Sequence, residues 1–141
     1  MTRQLRYSYL VTAWLALGGV AAAAADGGLY TPEQVKRGRA IYRAECSVCH
    51  SPDLNGRKAD GGPALRGAAF LQRWRGEPVG TLIDPAQELM PAAHPGKLGR
   101  QAYVDVIAYI LERNGAPAGV FELPTDAAAL KKLPIAFGPV R

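Results

Sequence analysis

The spacing of apolar positions predicts a helix that begins at Thr31 and runs into Cys46. Its apolar stripe, at three- and four-residue steps, consists of Val35, Gly38, Ile41 and Tyr42. Thr31 is a suitable N-cap, Pro32 takes the first helical position, and Gln34 completes a capping box. Glycine weakens a helix by about 1 kcal/mol relative to alanine. Gly38 is therefore either a tolerated surface glycine or the place where another helix crosses closely.

A second and clearer helix is predicted over residues 100–114. The apolar positions that define its buried face are Tyr103, Val106, Ile107, Ile110 and Leu111. Gly115 is well placed as the residue after the helix, where a left-handed backbone is favoured, and Pro117 prevents continuation. This helix and the first one are the strongest periodic segments of the chain.

The region between these helices is rich in turn residues and predicts only short helices. Residues 51–67 contain many Gly, Pro, Asp and Asn residues, which is typical of a loop. A short helix is expected over 68–75, with its larger apolar side chains on one side, and another over 78–83, ended by Asp84-Pro85. A second loop then runs from Leu89 to Gly99.

The C-terminal part adds one weak helix, over residues 126–133, with Thr125 as its possible N-cap. No segment alternates as a strand would, so the fold class is predicted to be all-α. The helical core is expected over about 31–115, followed by a C-terminal extension, 116–141.

The N-terminus has the features of a secretory signal peptide. Arg3 and Arg6 precede an apolar segment, 10–25, which ends in an alanine run that fits an A-x-A cleavage site. An uncleaved anchor is the alternative, but the apolar stretch is short for a transmembrane helix. We expect cleavage near Asp26, a single exported domain over 26–141, and no membrane insertion after cleavage.

The charge balance is only mildly basic. The full chain has a formal net charge of +5, and loss of Arg3 and Arg6 reduces it to +3. The basic residues are scattered, which gives no reason to expect nucleic-acid binding and suits either a solvated surface or docking to an acidic partner.

Cys46-Ser47-Val48-Cys49-His50 has the C-x-x-C-H pattern that attaches c-type haem. Each thiol can add to one haem vinyl group, and the histidine then lies beneath the iron, where it can be an axial ligand. The alternatives are a disulfide, a thioredoxin-like motif and a zinc site. The loop is short for a stabilising disulfide, no βαβ pattern flanks the motif, and the chain has only two cysteines and two histidines.

A second axial ligand is expected from the loop before the last helix. Met90 is the one methionine after the signal segment, and it stands in a loop before a proline, where a packing methionine is unusual. Met/His coordination would raise the redox potential. His94 is the rival, and it would give bis-histidine coordination.

These motifs resemble those of class I c-type cytochromes with one haem. Gly38, Tyr42 and Cys46 resemble the N-terminal helix of that family, and Val106 and Tyr109 resemble the positions of the C-terminal helix that cross it. The crossing would account for Gly38. Softer likenesses, in the Phe70 to Gly76 run, the Met90-Pro91 loop and the tail after Leu123, resemble the cytochromes that accompany bacterial PQQ-dependent dehydrogenases.

The resemblance implies the class I cytochrome c fold and one covalently attached haem c with its iron. It implies that Cys46 and Cys49 form the thioethers and that His50 and Met90 are the axial iron ligands. Gly62-Pro63-Ala64-Leu65 resembles the G-P-x-L turn of the family, in which the Pro63 carbonyl would accept a hydrogen bond from His50. Gly99 departs from the serine-type cap of relatives, so the last helix could fray at its start. Trp74 would either donate to a haem propionate or simply pack.

The sequence therefore predicts a periplasmic electron carrier rather than an enzyme. Its partners would be redox proteins: a dehydrogenase, possibly PQQ-dependent, or a quinol-oxidising complex as donor, and a cytochrome or terminal oxidase as acceptor. Arg57, Lys58 and Lys97 are candidates for contacts around the haem edge. The protein would be a monomer or a haem subunit bound tightly to a quinoprotein dehydrogenase, with the tail as docking arm. A haem enzyme or gas sensor with an open distal position is a third alternative.

Overall fold

The fold is a set of helices joined by long loops. A computed structural model describes residues 27–138, so the predicted signal peptide, residues 1–25, lies outside the described part. The helices are α1 (Pro32–Glu45), α2 (Ser47–His50), α3 (Ala68–Trp74), α4 (Val79–Leu89), α5 (Arg100–Arg113) and α6 (Ala127–Leu130), with one 3₁₀ turn at Lys58–Asp60. Residues 27–138 contain no β-strand, only two isolated bridges. The all-α prediction is confirmed.

The two long helices, α1 and α5, cross in direct backbone contact. A Cβ atom added to Gly38 would lie 1.8 Å from the carbonyl oxygen of Asp105, a distance that no side chain can occupy. One turn further along α1, the ring of Tyr42 packs on that of Tyr109, with 5.4 Å between centroids. The crossing that the family resemblance implied is therefore present, and it requires glycine at position 38.

Helix α5 is the centre of the core, and its residues 103–111 are all buried. Asp105, 3% exposed, is the one charged side chain among them. Arg37 of α1 donates to both of its carboxylate oxygens, over 2.8 and 3.1 Å, and Gln101 adds a third donor at 2.7 Å. The buried charge is thus paired and hydrogen-bonded at the crossing, which removes most of the penalty of burying it.

Helix α4 is longer than the sequence predicted. Residues 78–83 were expected to form a helix that ends at Asp84-Pro85, but α4 continues through Pro85 to Leu89. The prediction was wrong because packing outweighs the local preference against proline. Arg100 donates to Asp84 over 2.9 Å and to Gln87 over 2.7 Å, so contacts on both sides of Pro85 hold the helix to α5.

Two helix starts also differ from expectation. Thr31 accepts a hydrogen bond from the Gln34 backbone N–H, as a cap should, but the Gln34 side chain does not complete the capping box. It is buried and binds Leu123 instead, over 3.2 and 2.9 Å. At α6 the cap is Asp126, which accepts from Ala129 N–H, rather than Thr125. The helix ends at Leu130 rather than at residue 133, because the N–H groups of Lys132 and Leu133 bond three residues back, to Ala129 and Leu130, as in a tighter turn. Pro134 also disfavours helical backbone at Leu133.

The C-terminal extension packs back on the helices over its described part, 116–138. Its buried residues are Ala116, Leu123, Leu130, Ile135 and Phe137. Phe137 lies against Phe70 of α3, with ring centroids 6.4 Å apart. The helices between residues 27 and 138 include none with the length and apolar character needed to span a membrane.

Candidate functional site

The Cys46–His50 segment forms a single helical turn that begins where α1 ends. The backbone N–H of Cys46 still bonds to Tyr42, and the N–H groups of Cys49 and His50 both donate to the Cys46 carbonyl, over 3.2 and 3.0 Å. Both cysteines are free thiols, and they line the same cavity as His50. The turn therefore presents two sulfurs and an imidazole to one space, as attachment of a haem requires.

The imidazole of His50 is held by a backbone carbonyl. His50 is 7% exposed, and its Nδ1 lies 2.8 Å from the Pro63 carbonyl oxygen, the hydrogen bond that the G-P-x-L resemblance implied. With Nδ1 as donor, Nε2 has the free lone pair that an iron ligand needs. Gly62 allows the approach, because a Cβ there would lie 2.0 Å from the Cys49 carbonyl oxygen.

The cavity has a volume of about 360 Å³, within the range of small-molecule and cofactor sites, and its walls are mostly apolar. Helices α3, α4 and α5 supply the far wall, through Phe70, Leu82, Val106, Ile107 and Ile110. The residues present fit a haem: two thiols at one edge, an oriented imidazole, and an apolar enclosure that favours a flat hydrophobic ring. Among residues 27–138, no group of three or more His, Cys, Asp or Glu side chains could hold a metal ion.

Burial raises the pKa of the Cys46 thiol to about 11, and the negative charge of Glu45 acts in the same direction. The thiol is therefore neutral at physiological pH in the chain without haem. The surroundings of the two cysteines are helical, whereas a thioredoxin-like motif needs a βαβ context.

Met90 lies at the C-terminal end of α4 and lines the cavity, together with the loop 91–98. The Tyr103 hydroxyl donates to the Met90 carbonyl over 2.7 Å and accepts from the Leu98 N–H over 3.4 Å. One buried hydroxyl thus fastens both ends of the loop that carries Met90. The sequence analysis placed Tyr103 only on the apolar face of α5, because its spacing gave no signal of this contact.

His94 lines the cavity as well, from the exposed part of the same loop. The structure therefore brings both candidates for the sixth ligand to one site. They differ in that the Met90 carbonyl is bonded to Tyr103 of α5, whereas the backbone hydrogen bonds of His94 stay within the loop. Trp74, considered as a propionate donor, packs on Phe70 with 6.2 Å between ring centroids, and Arg73 lies over its ring.

The three basic residues expected around the haem edge are mostly engaged within the chain. Arg57 forms an ion pair with Asp60 over 2.8 Å, and Lys97 pairs with Glu45 at the cavity mouth. Val48, between the two cysteines, is 66% exposed. The surface beside the cysteines therefore has an exposed apolar side chain, with Arg57 and Lys97 paired near it, and Lys58 without an ion pair among residues 27–138.

A scan against protein-family models matches residues 33–110 to cytochrome c oxidase, cbb3-type, subunit III. The match covers more than half of the chain and includes the C-x-x-C-H motif and Met90. The chain belongs to this cytochrome c family. Membership establishes a c-type cytochrome domain with the class I fold and a covalently bound haem c with its iron, and so a haem-based electron carrier. The comparisons with curated proteins and with solved structures gave no match.

Proposed function

We propose that this cytochrome is a periplasmic carrier of single electrons with one haem, bound through thioethers to Cys46 and Cys49. We assign His50 and Met90 as the axial iron ligands and Pro63 as the acceptor that orients His50. The observation that carries the proposal is the convergence of both thiols, the imidazole and Met90 on one apolar cavity.

The bound haem supplies one-electron chemistry, since its iron has ferrous and ferric states. The chain orients the iron ligands and keeps other molecules away from the iron. The hydrogen bond from His50 to Pro63 fixes the orientation of the ring and makes the lone pair of Nε2 a stronger ligand for iron. A methionine in the sixth position leaves no open site for a substrate or a gas, which supports a carrier rather than an enzyme or sensor.

The ligand assignment is tested by Met90→Ala, with His94→Ala as the matched control from the same loop. The methionine-to-iron charge-transfer band of the oxidised holoprotein should vanish in Met90→Ala and persist in His94→Ala. Persistence of the band in Met90→Ala would contradict the assignment. A high-spin ferric parent that binds carbon monoxide readily when reduced would instead support the open distal site.

The proposed compartment is the periplasm, reached through the signal peptide over residues 1–25. The C-x-x-C-H motif supports export, because haem of this type is attached outside the bacterial cytoplasm in the systems that the chain resembles. N-terminal sequencing of the holoprotein from a periplasmic fraction should begin near Asp26, and a chain that retains Arg3 would contradict cleavage.

The proposed donor is a dehydrogenase, possibly PQQ-dependent, or a quinol-oxidising complex, and the proposed acceptor is another cytochrome or a terminal oxidase. The family description names an oxidase subunit, which supports an oxidase as acceptor. The exposed Val48 beside the thiols suits a small and weak docking contact around the haem edge. Stopped-flow reduction and oxidation of the holoprotein by each candidate partner would identify the pair.

A second candidate function is that of a haem subunit bound stably to a quinoprotein dehydrogenase. Val120 and Phe121 favour it, because they are 60% and 77% exposed on the C-terminal extension. Co-purification with a larger subunit that is lost in Phe121→Ser would support this function. A monomer in gel filtration of the native extract would favour the free carrier.

A further inference from the structure

The arginines of this chain divide into two groups by their contacts. Six of the nine between residues 27 and 138 have a partner for the guanidinium: a carboxylate, a carbonyl or an aromatic ring. These are Arg37, Arg57, Arg66, Arg73, Arg75 and Arg100. Within the described residues, the other three, Arg39, Arg43 and Arg113, have no ion pair, hydrogen bond or ring contact of the side chain.

The three arginines without partners line the same groove. Arg39 and Arg43 are one turn apart on α1, and Arg113 is in the last turn of α5. The groove has a volume of about 350 Å³ and an apolar part formed by Val35, Pro52 and Tyr109. Like charges four residues apart destabilise a helix, and no ion pair within residues 27–138 offsets the charges of Arg39 and Arg43.

Two carboxylates also line the groove, but they do not neutralise it. Asp53 accepts hydrogen bonds from Ser51 and Asn55, which occupy both of its oxygens. Glu112 has no ion pair within residues 27–138. The groove therefore keeps an excess of one positive charge, with all three guanidinium groups available as donors.

We propose that this groove docks an acidic segment of a protein partner. Guanidinium groups bind carboxylates through two parallel hydrogen bonds, and three of them in one groove match a run of Asp or Glu side chains. The apolar part can take the aliphatic portion of such a segment. A concave groove fits a chain segment better than it fits the plane of a membrane.

The position of the groove gives this contact a role distinct from electron exchange. The groove and the haem cavity share no lining residue, and Tyr42 and Tyr109 pack between α1 and α5 beside the groove. Arg57 and Lys97, near the cavity, are already paired with Asp60 and Glu45. An acidic partner therefore finds its available arginines away from the haem edge, and it would tether the cytochrome while the edge stays open for redox contacts.

The experiment uses ¹⁵N-labelled holoprotein and a hexaglutamate peptide as the probe, at low ionic strength. A well-formed exposed ion pair changes a binding constant by about two- to fivefold, and three such effects multiply. The triple variant Arg39→Gln/Arg43→Gln/Arg113→Gln should therefore bind at least about tenfold more weakly. The control Arg73→Gln/Lys131→Gln/Lys132→Gln has the same change of net charge, from exposed residues outside both the groove and the haem cavity, and should bind within about twofold of the parent.

The proposal would be supported if the peptide changes the NMR chemical shifts of the groove residues and if only the arginine variant loses affinity for the peptide. No binding by the parent, equal loss in both variants, or shifts around Val48 instead of the groove would each overturn it. Binding through the same arginines to phosphatidylglycerol vesicles, without binding of the peptide, would also overturn it in favour of a lipid surface. All six substituted side chains are exposed, so unchanged urea midpoints should verify that both variants are folded.

Discussion

Single hydroxyl groups set the position of key backbone segments in this cytochrome. Tyr103, 3% exposed, bonds to both ends of the loop 90–98. Tyr30, 2% exposed, donates to the Ala116 carbonyl over 2.5 Å and so fastens the residues before α1 to the segment after α5. In both cases the ring fills the core while the hydroxyl satisfies a backbone group.

Tyr103→Phe should make Met90, the proposed iron ligand, easier to displace. Loss of one neutral hydrogen bond changes an equilibrium by about fivefold, so added imidazole should bind the oxidised holoprotein about fivefold more tightly. Tyr109→Phe is the matched control, because Tyr109 is the other buried tyrosine of α5 and packs on Tyr42. Equal imidazole affinity in parent and Tyr103→Phe would contradict a positioning role for the hydroxyl.

Tyr30 should make stability depend on alkaline pH. Burial, with a smaller effect from Glu112, raises the pKa of Tyr30 to about 12, whereas an unfolded tyrosine has a pKa of about 10. The contribution of Tyr30 to the free energy of unfolding is fully present below about pH 10. It is lost as pH rises through about 12, since only the unfolded chain gives up the proton at first. The free energy of unfolding should fall less steeply over this window in Tyr30→Phe, and identical slopes would count against the assignment.

At the scale of elements, the contact between α1 and α5 decides the architecture. Gly38 lets the backbones touch, and Arg37 of the same turn neutralises Asp105 of the opposite helix. This crossing joins the helix that leads into the cysteines to the helix that supplies the far wall of the cavity. The geometry of the haem site therefore depends on a contact that does not itself touch the haem cavity.

Gly38→Ala should destabilise the holoprotein by about 1–3 kcal/mol. The added Cβ has only 1.8 Å to the Asp105 carbonyl oxygen, so the helices must move apart. Helix propensity alone predicts that the substitution increases stability, by about 1 kcal/mol. The control Ala40→Gly, at an exposed position of α1, should cost about that amount. Urea unfolding distinguishes the two, and a stabilised Gly38→Ala would contradict the close crossing.

At the scale of the whole molecule, the C-terminal extension closes the structure over α1 and α3. The buried Gln34 amide holds Leu123 through both its donor and its acceptor. Arg37 reaches Glu122 over 2.8 Å, and Phe137 packs on Phe70. The described part of the extension is therefore a structural strap, and Val120 and Phe121 are the only large apolar side chains exposed on it.

Gln34→Leu should cost about 2–4 kcal/mol, because it leaves the buried N–H and C=O groups of Leu123 without partners. Gln72→Leu, at an exposed position of α3, should change stability by less than about 0.5 kcal/mol. Chemical unfolding of both holoproteins provides the comparison. If Gln34→Leu lowers stability by no more than about 0.5 kcal/mol, the strap contributes little to the stability of the protein.

The sequence by itself determined the local features of this protein. Thr31, Pro32 and Gly115 mark helix ends through backbone chemistry that acts within a few residues, and the spacing of Cys46, Cys49 and His50 specifies the haem motif. The tertiary structure alone decided the passage of α4 through Pro85, the use of Gln34 for the strap, the bond from Tyr103 to Met90 and the convergence of three arginines on one groove. Each of these depends on side chains far apart in the chain, whose meeting no local preference encodes.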